Sequence, residues 1–153
     1  MIGASATIAA AIYTQHRVER RELRAPINKT HQYVRELNFK VRIAASRIRN
    51  CARHALADEE YAFPDLKTAM VQATDALIMA LPDDRLPPSY SQRIDKALSL
   101  AVDHLFEAQD QASRATTLRG DDAAHAWKEA EIAAGRARQT LTTEADWLLQ
   151  QLS

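Results

Sequence analysis

Residues 27–57, INKTHQYVRELNFKVRIAASRIRNCARHALA, decide the fold. Within them Ile27, Thr30, Val34, Leu37, Val41, Ala44, Ile48, Cys51 and Ala55 recur at alternating steps of three and four, nine positions without a slip. That step is the period of a helix with one buried face, the spacing of a helix-bundle or coiled-coil seam.

The same period runs through the rest of the chain. From 64 to 81 the seam is Leu66, Met70, Ala73, Leu77 and Ala80. From 89 to 119 it is Ile94, Leu98, Ala101, Leu105, Ala108, Ala112 and Ala115, with Leu100, Val102 and Phe106 widening the apolar face. From 121 to 152 it is Trp127, Ala130, Ala134, Ala137, Leu141, Ala145, Leu148 and Leu152. At 1.5 Å per residue these helices are about 46, 27, 46 and 48 Å long, so the second is too short to match its neighbours.

Proline and glycine supply the punctuation. Pro26 is expected to break or kink an initial helix, and Phe63-Pro64-Asp65 to open the short one. Pro82 and Pro87-Pro88 bracket a loop, after which Ser89 and Gln92 have the spacing of a capping box. Gly120 suits a left-handed cap, with Asp121 or Asp122 capping the last helix.

Short connections favour antiparallel neighbours. The expectation is therefore an all-α protein: an antiparallel up-down helical bundle of three long helices plus one shorter helix over 26–153, preceded by an N-terminal apolar then basic helix over 1–25. The short helix covers only part of one side. The groove left beside it is to be closed by the 83–88 loop, by the N-terminal helix folding back, or by another copy.

Composition points the same way. The chain has 153 residues, 46% of them hydrophobic, which is one domain with a sizeable core. Ala occurs 29 times and Gly three times, a balance that favours helix. Collagen-like, low-complexity and disulfide-scaffold classes are excluded. The lone Cys51 can form no intrachain disulfide, which fits a reducing compartment. Arg outnumbers Lys 15 to 5, a bias associated with GC-rich bacterial genomes.

Residues 2–13, IGASATIAAAIY, are uncharged and run into Arg17, Arg20, Arg21 and Arg24. Twelve helical residues span about 18 Å, against the roughly 30 Å of a hydrocarbon core. A secretory signal would carry its positive charge before the apolar run, whereas here it follows. Small residues at Gly3, Thr7 and Ala11, Tyr13 at an interfacial position and the arginines beyond it suggest the end of a membrane helix, with the basic side cytoplasmic. Ile2, Ile8, Ile12 and Tyr13 would then face a membrane. In the competing reading they pack in an oligomer interface.

The total of 20 basic and 20 acidic residues conceals an asymmetry. Residues 1–57 hold 11 Lys+Arg and three Asp+Glu, net +8, whereas 58–153 hold nine and 17, net −8. Lys40, Arg47 and His54 precede seam residues, and Arg35, Arg42 and Arg49 follow them, positions that form ion pairs between helices. Asp103 and Asp110 fall opposite their seam and should face water. Arg17, Arg20, Arg21 and Arg24 abut the apolar run and are read as an anionic-surface contact, with anionic lipid as the partner. The basic half would also serve as a nucleic-acid footprint, but no nucleic-acid-binding motif accompanies it.

No catalytic constellation stands out. Di-metal bundles need paired Glu-x-x-His motifs, and the chain offers only His104 with Glu107 and Asp122 with His125. Scattered His and one Cys do not make a zinc site. Cys51 sits on the seam, where a thiol behaves as a small hydrophobe, and Trp127 and Trp147 read as core or interface anchors. No phosphate loop or nucleophile elbow occurs. The expectation is a non-enzymatic protein without cofactor, metal or small-molecule substrate, acting through a protein partner or self-association.

Residues 3–24, GASATIAAAIYTQHRVERRELR, resemble the opening of many uncharacterised small bacterial membrane-anchored proteins. In those, a small-residue-rich segment runs into an Arg/Glu-rich helix and then a cytoplasmic helical bundle. The resemblance covers about 22 residues, is compositional, and carries over no site residues. It implies a bundle tethered on the cytoplasmic side of a bacterial membrane; the competing localisation is soluble in the cytoplasm.

Overall fold

The structure is a computed structural model that describes residues 2–56, 63–80 and 83–153, with the side chains of 2–6, 16, 19, 20, 55, 56 and 63–65 outside the description. The described chain is all-helical: α1 (Ile2–Leu56), α2 (Phe63–Ile78), α3 (Pro88–Thr117) and α4 (Gly120–Gln151). The main contacts run α1 to α2, α2 to α3, α3 to α4 and α4 to α1.

The seam positions build one shared core. On α1, Ile27, Thr30, Val34, Leu37, Val41, Ala44, Ile48 and Cys51 are all buried, while Ala55 lies outside the described side chains. The seams of α2, α3 and α4 are buried as well, apart from a half-buried Leu152. Between α3 and α4 the core is mostly alanine, with Ala101, Ala108, Ala112 and Ala115 facing an α4 that also buries Ala123, Ala126 and Ala133. Methyl-sized side chains let two helix axes approach toward the short end of the usual 8–10 Å. Leu105, Trp127 and Leu141 fill the space that alanines leave and are fully buried. Leu100 and Phe106 are exposed, not part of a widened core face.

Side-chain bonds record how the helices are paired. Asn38 Nδ2 donates to Thr142 Oγ1 at 3.0 Å and Arg49 Nε to Glu131 Oε1 at 2.8 Å. As α1 advances from 38 to 49, its α4 partner retreats from 142 to 131. Continued by residue count, position 29 of α1 lies opposite Gln151, the last helical residue of α4. Arg93 of α3 likewise bonds Glu144 at 2.9 Å, and Gln109 of α3 bonds Thr74 of α2 at 3.1 Å.

Several local expectations change. Pro26 does not end a helix: α1 runs through it, so the apolar-basic segment and the first long helix are one element. An interior proline loses one backbone bond and crowds the preceding turn. Here the ring is buried where Leu23 and Ile27 begin the seam, and that packing offsets the cost. The Ser89–Gln92 capping box is not formed; α3 starts earlier, with Pro88 in its first turn and Ser91 Oγ bonded to the Pro88 carbonyl at 3.1 Å. Gly120 adopts φ +61°. Asp121 and Asp122 stand in the first turn of α4, favourable to its dipole, without making a side-chain cap. α2 ends at Ile78, and Pro82 lies outside the described residues.

The loop after α2 closes part of the short side. Leu86 is buried in the common core. Asp83 accepts from the Arg85 backbone N–H and Nε, both at 3.0 Å, and from Arg85 Nη2 at 2.9 Å, while Lys29 of α1 approaches at 3.9 Å. These bonds to Arg85 hold the Asp83 carboxyl well below the usual carboxylate range.

Candidate functional site

α4 ends opposite position 29, and among the described residues the part of α1 before Leu23 is not packed against the bundle. Every described side chain from 7 to 22 is exposed, and Leu23 is the first to touch the core. This arm carries the residues singled out from sequence. Arg17, Arg21 and Arg24 are exposed; Arg20 and Ile2 are helical, with side chains outside the description. Ile8 is 62% exposed, Ile12 51% and Tyr13 68%.

Helical geometry divides these residues. At 3.6 residues per turn, Tyr13, Arg17, Arg21 and Arg24 fall within an arc of about 80°, whereas Ile8 and Ile12 lie on the opposite side. The predicted membrane or oligomer residues are therefore split, with Tyr13 on the basic face and the isoleucines behind it. Arginines at i, i+3, i+4 and i+7 repel one another by about 0.2–0.5 kcal/mol per pair. Among the described residues no ion pair involves Arg17, Arg21 or Arg24.

The basic face does not stop at the arm. In the phase set by Arg17, residues Arg35, Arg42, Arg49 and Arg53 fall within the same outward arc of about 80°. All are exposed, and residues 17 to 53 correspond to about 54 Å of helix. Reading Pro26 as a break hides this continuity, since a broken helix carries no phase across the break; the heptad step of Arg35, Arg42 and Arg49 was the available signal.

Interhelical pairing accounts for only part of the ridge. Arg49 pairs with Glu131 of α4. Arg35 and Arg42 instead line a shallow groove of about 750 Å³ between α1 and α4, with Glu36, Phe39, Lys40 and Arg138. Phe39 stands 62% exposed at its rim. Asp103 and Asp110 are exposed on α3, as their spacing indicates.

The remaining candidates sit on the bundle helices. Burial pushes the Cys51 thiol up, away from the thiolate needed for nucleophilic chemistry. Trp127 is fully buried. Trp147 is part of a cluster in which the Arg93 guanidinium lies 4.2 Å over its ring and Tyr90 packs at 5.0 Å. His104 approaches Glu107 of its own helix at 3.9 Å. Among the described residues no three His, Cys, Asp or Glu side chains gather as a metal site, and no helix is long and apolar enough to cross a membrane.

No protein-family model, curated protein or solved structure matches the chain.

Proposed function

We propose that the chain is a non-enzymatic interaction protein, an antiparallel up-down helical bundle that presents the N-terminal part of α1 to an anionic membrane surface on the cytoplasmic side of a bacterial membrane. The single observation behind this reading is the arm: its described side chains from 7 to 22 are exposed, and Arg17, Arg21 and Arg24 share one face. The opposed progression of bonded pairs along α1 and α4 supports the antiparallel arrangement. Anionic lipid attracts each surface Lys or Arg by about 1 kcal/mol, enough to hold a protein at a bilayer without a spanning segment. Residues 1–25 then act as the attachment and 26–153 as the body that meets a protein partner.

Flotation with vesicles tests this. The intact protein should float with phosphatidylglycerol-containing vesicles and not with phosphatidylcholine alone. Substituting Arg17, Arg20, Arg21 and Arg24 by Gln should weaken binding about a hundredfold or more, from roughly 1 kcal/mol each. Equal recovery with both vesicle types would end the proposal.

A second reading rests on Ile8 and Ile12, exposed on the face away from the arginines. In it, two copies pack these faces together. Light scattering should then give a dimer that becomes monomeric with Ile8→Glu and Ile12→Glu; a monomer from the start excludes it.

A further inference from the structure

Beyond the arm, the body carries a groove lined mostly by basic side chains, and we infer that the ridge of α1 lies along the bilayer with Arg35, Arg42 and Arg138 gathered on lipid phosphate and Phe39 seated among the acyl chains. The inference deepens the membrane reading and rests on it. Four observations converge. Arg35 and Arg42 of α1 and Arg138 of α4 line one groove, where Glu36 is the only acid among the described lining residues; Glu36 precedes Lys40 by four residues, the spacing at which those two charges offset each other. The groove therefore keeps a surplus of positive charge. Second, the Arg138 Nε–H is buried and has no hydrogen-bond partner among the described residues, a donor whose desolvation an anion would offset. Third, Phe39 sits between Arg35 and Arg42 on the same helix face and is largely exposed, an arrangement that favours a surface polar at its outside and apolar just beneath. Fourth, the ridge follows one helix, and a flat bilayer meets such a line along its length. The phosphates of a duplex wind around an axis, so a straight ridge meets them only where it crosses the grooves.

The test uses the full chain. Wild type, an Arg35→Gln/Arg42→Gln/Arg138→Gln variant, Phe39→Ala and the four-arginine arm variant are compared for partitioning onto phosphatidylglycerol vesicles, with thermal melts confirming that each is folded. The groove variant should bind about a hundredfold more weakly, at roughly fivefold per arginine, with Phe39→Ala several-fold weaker. In Phe39→Trp, the added fluorescence should shift to the blue when vesicles are present. Excess inorganic phosphate should leave binding intact. If the groove variant and Phe39→Ala bind like wild type while the arm variant fails, the groove proposal is overturned and the arm reading stands. If wild type itself does not bind, both fall. Displacement by inorganic phosphate, or tighter groove-dependent binding to duplex DNA than to vesicles, also overturns the groove as a lipid site.

Discussion

Glu144 is the clearest case of a residue whose role depends on its neighbours. It is a buried carboxylate on a seam-flanking position of α4, and it is held by Arg93, whose guanidinium also lies over Trp147. Replacing Arg93 by Met leaves that carboxylate without its charged partner; urea unfolding should show a loss of about 1–3 kcal/mol with an unchanged m-value. Leu141 is fully buried among alanines that cannot move in to fill a void, so Leu141→Ala should cost about 2–5 kcal/mol in the same measurement. Asp83 gives a pH-dependent counterpart. Its carboxyl is held low by Arg85, so its contribution is present above the ordinary carboxylate range and is lost as the pH falls through the lowered value. The stability gap between wild type and Asp83→Asn should therefore exist at neutral pH and shrink in acid, below about pH 4. A gap that widened in acid would contradict the assignment.

At the scale of elements, two glycines make opposite predictions. Gly120 turns the chain between α3 and α4 at φ +61°, and a Cβ there would meet nothing within 4 Å. The cost of Gly120→Ala is therefore a backbone cost, about 1–2 kcal/mol. Gly135 is exposed within α4, and a Cβ there is equally unobstructed. Gly135→Ala should stabilise by about 0.5–1 kcal/mol, because alanine loses less conformational freedom on entering a helix. Thermal melts of the two variants should move in opposite directions. The elements were legible because the steps of three and four persist through each one. The break expected at Pro26 does not occur for an equally local reason: proline disfavours a helix interior on its own account, but its ring is buried in the turn where Leu23 and Ile27 meet the core. The capping box failed because Pro88 already fixes the first turn of α3.

Across the whole molecule, the arm and the body are continuous in backbone but differ in burial. Substituting the exposed arginines of the arm by Gln should not lower the unfolding free energy of the body, since none takes part in a described ion pair and the mutual repulsion that is relieved, about 0.2–0.5 kcal/mol per pair, lies within the arm. The same change should remove most vesicle binding, so stability and attachment are measured independently. What the amino-acid order determined by itself was the helical class, the seam of each helix and the uneven division of charge, because periodicity, propensity and charge are properties of residues and their spacing. Arg17 and Arg42 could be read individually as basic surface residues. That they belong to one ridge depends on a helix unbroken at Pro26, and that Arg138 joins Arg35 and Arg42 depends on α4 lying beside α1 in a particular register. Those relations follow from packing: the sides of α1 turned toward α2 and α4 are set by the buried seam, and every residue on its remaining face is thereby committed to the surface.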